Sequence, residues 1–251
     1  MQLQLASAWK RISAWLFDII LLAVFAVLFA FALSGTLGYN THSDAMEAAY
    51  AKYETQFGVT FDITEEAYLS MSEAEKANYD AAYEALLADE DAMYAYGMLV
   101  NLTLLITSLG ILLSVAGLEF AVPLLFKNGQ TIGRRIFGVA LVKPDGVKIN
   151  ALQLTIRVLL GKYTVGIMIP VLVFTMLMFN ITGLFGTILV LGIWLAQLLC
   201  LMFTKNRTGL ADLMAGTVPV DMSTQRIFAS TDDRISYQKK LHAEEVSRQE
   251  Y

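Results

Sequence analysis

Apolar and polar positions divide this chain into four long hydrophobic runs separated by segments of very different character. The runs lie near 14–36, 98–126, 160–180 and 183–203, and each approaches the roughly 20 apolar residues that a helix needs to cross a hydrocarbon core. The third and fourth are separated only by "NITG" at 180–183, a connection that implies an antiparallel hairpin or one broken element that dips in and returns. The expected architecture is an all-α membrane protein: a four-span transmembrane helical bundle with an acidic helical extracytoplasmic insertion between spans 1 and 2.

The segments between the runs have patterns of their own. Between 37 and 97, Met46, Tyr50 and Tyr53 repeat at helical spacing, "GVTFDIT" reads as extended, and Ser72 with Glu75 forms a capping-box signature for a second helical stretch. Eight of the eleven tyrosines fall here, so a small helical cap with Tyr and Leu faces packed together is expected. In 138–149 two short apolar stretches flank "KPDG", where Pro144 and Gly146 suit a turn and a short hairpin or bent strand pair. Asn150 followed by Gln153 reads as a second capping box, opening a helix at about 151–162 that could lie in the interface. The polar, evenly charged stretch after 222 reads first as a mobile tail and second as a surface helix. The resulting division is 1–36, 37–97, 98–220 (with a loop at 127–159 and a post-span motif at 204–220) and 221–251.

Composition agrees with the pattern, since 56% of the 251 residues are hydrophobic. The net charge of −5 averages unequal parts. Residues 127–162 carry Lys127, Arg134, Arg135, Lys143, Lys148, Arg157 and Lys162 against the single acid Asp145, whereas 37–97 holds thirteen acids against Lys52 and Lys76. Positive residues collect on the cytoplasmic side. The basic loop and both termini are therefore expected inside and the acidic segment outside. Lys10 and Arg11 ahead of an apolar stretch ending in "AFA" at 30–32 also resemble a secretion signal. Asp18 inside that stretch argues that it is retained.

Asp18 is also the first candidate for function. A carboxylate facing lipid costs about 2.5–3.5 kcal/mol on insertion scales, so such a group turns toward protein or water. Arg11, Ala14 and Asp18 share one helical face, with Asp18 about 10 Å deeper than Arg11, and Ala14 leaves room for another helix. Asp18 is thus either an anchor, satisfied by an arginine or a helix N-terminus, or an ion- or proton-handling group. After the second run comes "KNGQTIGRRIFGV" (127–139), in which Gly129 and Gly133 permit a tight exit and Arg134 and Arg135 meet headgroups or neighbouring acids. After the fourth comes "NRTGLADLMAGTVPV" (206–220), which puts Arg207 and Asp212 at a similar depth. Glu119, four residues before Pro123, could face Asp18 and share its site or reach the headgroups. Gly110, Ser114 and Gly117 form a small-residue stripe suited to helix packing.

Together these elements resemble the RDD family of bacterial membrane proteins, named for one arginine and two aspartates. Arg11 matches the arginine, Asp18 the first aspartate, and Asp212 in "GLADLMAGT" the second. The stretch "GQTIGRRIFGVALVKPDG", with Thr131 among its residues, looks like the family's glycine, threonine and basic stretch, and Arg157 looks like its later arginine. The resemblance covers about 5–36 and 98–220 and omits the acidic insertion and the tail. Ala211 stands where such proteins often carry histidine, so no imidazole beside Asp212 can carry a proton here. What the resemblance implies is transport of ions or small solutes, with cation/proton exchange as the coupling proposed for the family.

Other chemistry finds little support. His42 and His242 are the only histidines and Cys200 the only cysteine, so no nucleophile, base and orienting group can be assembled and no intrachain disulfide can form, and the carboxylates of 37–97 show no metal-ligand spacing such as an EF-hand loop. An enzyme, a cofactor, a metal site and a nucleic-acid partner are not expected. The expected partners are the lipid bilayer, monovalent cations and protons, and further copies of the chain, because four spans make a small transporter. The rival reading is a non-transporting membrane adaptor in which the charges only fix the helices, while the acidic cap or the basic loop binds a partner.

Overall fold

The computed structural model describes residues 3–126, 129–178, 183–204, 206 and 208–249. It is mostly helical, and four of its helical stretches are long and apolar enough to cross a membrane: Ala8–Thr36, Glu90–Phe126, Ala151–Phe174 and Gly183–Cys200. Their apolar side chains are largely uncovered by protein, Phe31 being 80% exposed, Leu184 77% and Trp194 61%, as lipid-facing surfaces require. Helix α1 (Ala8–Thr36) begins a turn and a half earlier than its apolar run suggests. The stretch "NITG" lies outside the described residues except for Gly183.

The chain divides into two compact units, Ala26–Gly110 and the combination of Met1–Phe25 with Ile111–Tyr251. In the first, α2 (Tyr39–Phe57), α3 (Glu65–Ser70), α4 (Glu73–Leu87) and the start of α5 (Glu90–Val115) enclose Met46, Tyr53, Leu86 and Ala92. The capping box at Ser72 and Glu75 forms as expected. Phe61, from the extended stretch, is ringed by Tyr50, Tyr79 and Tyr83 at centroid distances of 5.7–6.4 Å, which gives the tyrosine-rich composition a packing role. Asp89 accepts hydrogen bonds from Lys52 Nζ and the Tyr53 hydroxyl, both at 2.9 Å. The Lys52 ammonium and these hydrogen bonds hold its carboxyl below the ordinary range. No break occurs at 97/98, because α5 runs continuously from Glu90 through the apolar region. Gly110 in α5 lets α1 approach closely, since a Cβ there would lie 2.9 Å from the carbonyl oxygen of Ala26.

In the second unit α5 continues into a π-helical turn, π1 (Ala116–Ala121), and then α6 (Val122–Phe126). After α7 (Ile132–Ile136) and strand β1 (Val139–Val142) the chain forms α8 (Ala151–Thr155), a thirteen-residue π-helical stretch π2 (Ile156–Met168), and α9 (Ile169–Met178). Asn150 and Gln153 do form a capping box. The helix expected to lie in the interface before a span at 160 is instead continuous with that span. Each π stretch ends two residues before a proline, Pro123 or Pro170. Proline cannot donate to the carbonyl four residues back and crowds it, and widening the preceding turn relieves that clash.

Helix α10 (Gly183–Phe203), α11 (Leu210–Ala215), β2 (Val218–Asp221) and α12 (Thr231–Gln249) complete the unit. β1 pairs antiparallel with β2, Val139 opposite Asp221 and Val142 opposite Val218. The hairpin expected at 138–149 survives as a turn, in which Gly146 N–H donates to the Lys143 carbonyl and Val142 bridges to Lys148. The main partner of β1 is nonetheless remote in sequence. The residues after 222 are not a mobile tail over their length: α12 is the surface helix of the second alternative.

Candidate functional site

The ends of several elements converge on a set of buried charges in the second unit. Asp18 is 8% exposed. One of its oxygens accepts from Gly133 N–H at 2.8 Å and the other from the Thr131 hydroxyl at 2.5 Å. Thr131 is the N-cap of α7, its hydroxyl oxygen accepting from Arg134 N–H at 3.3 Å. Asp18 therefore accepts from one open N–H group and from the N-cap hydroxyl at the start of α7, the helix N-terminus alternative. Ala14, 1% exposed, makes this approach possible, and Gly133 must lack a side chain, because a Cβ would sit 2.8 Å from the Asp18 carboxylate. Arg11 lies half-buried two turns before Asp18 on the same helix.

Glu119, on π1, is 4% exposed and forms an ion pair with Lys162 on π2. It does not share a proton-holding contact with Asp18, although its charge acts on Asp18, as does that of Lys162. The second oxygen of Glu119 is buried with no hydrogen-bond partner among the described residues. Arg157, 3% exposed, donates from Nε to Asp212 at 2.6 Å, and Thr217 adds a hydroxyl bond to the same oxygen at 3.0 Å. Burial alone would push the Asp212 carboxyl up, but the Arg157 and Arg134 guanidiniums outweigh it and hold the group below the ordinary carboxylate range. Arg134 feels Arg157, Asp212, Glu119 and Asp18. One terminal nitrogen each of Arg134 and Arg157 is buried without a partner among the described residues.

Close helix packing sets this geometry. A Cβ at Gly161 would lie 2.6 Å from both Cα and Cβ of Ala211, so α11 rests directly on π2 and brings Asp212 to Arg157. Ser114 donates its hydroxyl to the Leu22 carbonyl at 2.8 Å, joining α5 to α1. A Cβ at Gly117, in the same small-residue stripe, would meet nothing within 4 Å. Of the residues expected from sequence, Asp18, Glu119, Arg157, Asp212, Thr131, Gly133 and Arg134 come together. Arg135 does not, for its exposed guanidinium lies 4.2 Å from the centre of the Phe126 ring. Gly129 makes a left-handed turn under Ile149, and Arg207 lies outside the described residues. Sequence reasoning missed Lys162 and Thr217. Lys162 counts as part of the basic loop when the span is started at 160; a lysine within an apolar helix is the signal that could have found it.

The chain matches the family model described as RDD family over residues 5–216. It belongs to the RDD family. The ordered motifs that suggested the RDD family in the sequence are thus largely those that build the charge cluster. Searches of curated proteins and of solved structures each found no match.

Proposed function

We propose that this RDD-family chain is a multi-pass membrane transporter of ions or small solutes, with monovalent cations exchanged for protons, and that Glu119 is the group that handles the cargo. The observation that carries this reading is the second oxygen of Glu119, buried inside an apolar helix and facing no donor among the described residues. A buried polar atom left unpaired costs about 1–3 kcal/mol, more when charged, so such a group persists where a ligand or water completes it. Asp18 and Asp212 are less available, because their hydrogen bonds commit them to α7 and to Arg157. π-helical turns, frequent at functional sites, carry both members of the Glu119–Lys162 pair. The placement of Lys and Arg supports an orientation with both termini and the basic loop cytoplasmic and the acidic cap outside, and the resemblance to the RDD family of bacterial membrane proteins supports a bacterial cell (inner) membrane. No enzymatic role is proposed.

Asp18 favours the adaptor reading at its own position, since a carboxylate seated on a helix start is a structural joint. Flux through proteoliposomes separates the two. With imposed sodium and pH gradients, the parent chain dissipates both, and Glu119→Gln slows this by about tenfold or more. A parent rate equal to that of empty vesicles would sink the transport reading and leave the adaptor.

A further inference from the structure

We infer that the open cavity beside Arg135 binds the phosphodiester headgroup of an anionic phospholipid. The site is separate from the charge cluster and does not require that anything be transported. Arg134 and Arg135 are neighbours in the chain, yet α7 sends them to different surroundings. Arg134 has a terminal nitrogen buried in the cluster, whereas Arg135 is exposed and lines a cavity of about 400 Å³ with Gln130, Gly138, Met222 and Ser223. That volume lies within the range of small-ligand sites, about 300–1,000 Å³.

The cavity is placed where lipid phosphates lie. The Arg135 guanidinium is 4.2 Å from the centre of the Phe126 ring, and Phe126 is the last residue of the second stretch long and apolar enough to span. Met222 and Ser223 follow Asp221, which Lys10 on the first turn of α1 grips at 2.7 Å, and the first such stretch begins at Ala8. The cavity therefore sits at one rim of the apolar belt, beside a tryptophan, Trp9, of the kind enriched at membrane–water interfaces. Its chemistry suits the same ligand. No acid pairs with Arg135 among the described residues, so its N–H fork can meet a phosphate with two parallel hydrogen bonds, and the Phe126 ring restrains the side chain in advance. Asp221 does not act as a bare carboxylate toward an anion here, because Lys10 and the N–H and hydroxyl of Ser223, at 3.0 and 2.7 Å, already engage it. Gln130 is buried and gives its amide N–H to the Val139 carbonyl at 2.9 Å, which fixes the cavity wall. Leu125 and Ile136, next to Phe126 and Arg135 in the chain, are 76% and 59% exposed. They supply an apolar surface for acyl chains, which favours a lipid over free phosphate.

The test uses the purified full chain in a neutral detergent, titrated with short-chain phosphatidylglycerol, with phosphatidylcholine of the same chain length and with inorganic phosphate. Native mass spectrometry counts the bound molecules. The parent binds a single phosphatidylglycerol at least about tenfold more tightly than either of the other two. Arg135→Gln lowers that affinity about tenfold, and Arg135→Lys, which keeps the charge but not the fork, lowers it about threefold. Lys148→Gln removes an exposed charge of the same loop that does not line the cavity, and it leaves the affinity unchanged. Arg135→Lys keeps the test decisive should Arg135→Gln lose its fold. Equal weakening by Arg135→Gln and Lys148→Gln reveals diffuse attraction to the basic loop and overturns the inference. Parent-like binding by Arg135→Lys overturns it too, as does equal affinity for the two lipids. Inorganic phosphate bound as tightly as phosphatidylglycerol marks a free-anion site and overturns the assignment to lipid.

Discussion

At the scale of single residues, the buried carboxylates have different jobs because their oxygens have different partners. Asp18 accepts at both oxygens from one short stretch, Thr131 to Gly133. It fastens α1 to α7 more than it offers a site. Gly133 is the residue on which that seat depends: a methyl group there would meet the Asp18 carboxylate at 2.8 Å. Gly133→Ala should therefore push α7 off Asp18 and destabilise the fold by about 1–3 kcal/mol, as overpacking does in well-packed interiors. A thermal melt in detergent reads the loss, and an unchanged melting temperature would show that the joint has slack. That Asp18 turns inward was legible from its spacing with Arg11 and Ala14, since helical periodicity fixes faces. Its partner was not, because Thr131 is 113 positions away. Lys162 was hidden for a related reason: hydropathy cannot tell the last residue of a basic loop from the first buried charge of a span.

Helices and strands were legible to the extent that their signals are local. Ser72 and Asn150 announce two helix starts within four residues each, and both capping boxes are present. The π stretches give no comparable signal, since a run of apolar residues looks alike at either winding; the prolines at 123 and 170 are the only marks they leave in the sequence. The pairing of β1 with β2 joins segments across the α8–π2–α9 stretch, α10 and α11 and is equally silent. What the elements need from one another is close approach, most acutely where π2 meets α11. Even Gly161→Ala sets a Cβ 2.6 Å from Ala211, so it should cost about 1–3 kcal/mol and loosen the Arg157–Asp212 pair. Adding Ala211→Gly should recover part of that loss, because the two sites share one contact and their effects are not additive. A double-mutant cycle on melting temperature measures the recovery; strictly additive losses would show that the contact does not set the packing.

At the scale of the whole unit formed by Met1–Phe25 with Ile111–Tyr251, a small sheet holds the ends of the elements that carry the cluster. The stretch before α1 extends the edge of β2: Ala6 N–H donates to the Pro219 carbonyl at 3.2 Å and Asp221 N–H to the Gln4 carbonyl at 3.0 Å. β2 follows α11 directly, and β1 follows α7, so the strands fix the starts or ends of the segments bearing Asp18, Arg134 and Asp212. Lys10 Nζ closes this arrangement on Asp221 at 2.7 Å. Hydrogen bonds from Lys10 and Ser223 hold the Asp221 carboxyl down from 3.8 to about 2. A carboxyl whose folded value is depressed adds stability above its unfolded pKa and loses it as pH falls toward the folded one. The stretch before α1 should accordingly stay paired with β2 at neutral pH and loosen between about pH 4 and pH 2. Hydrogen exchange at the Ala6 and Asp221 amides reads this, with their protection decreasing across that window. Asp221→Asn should show the loosened state already at neutral pH and no further change through the window. Protection that falls in parent and variant alike would trace the acid sensitivity to another carboxyl group and leave the sheet, rather than the ion pair, as the fastening.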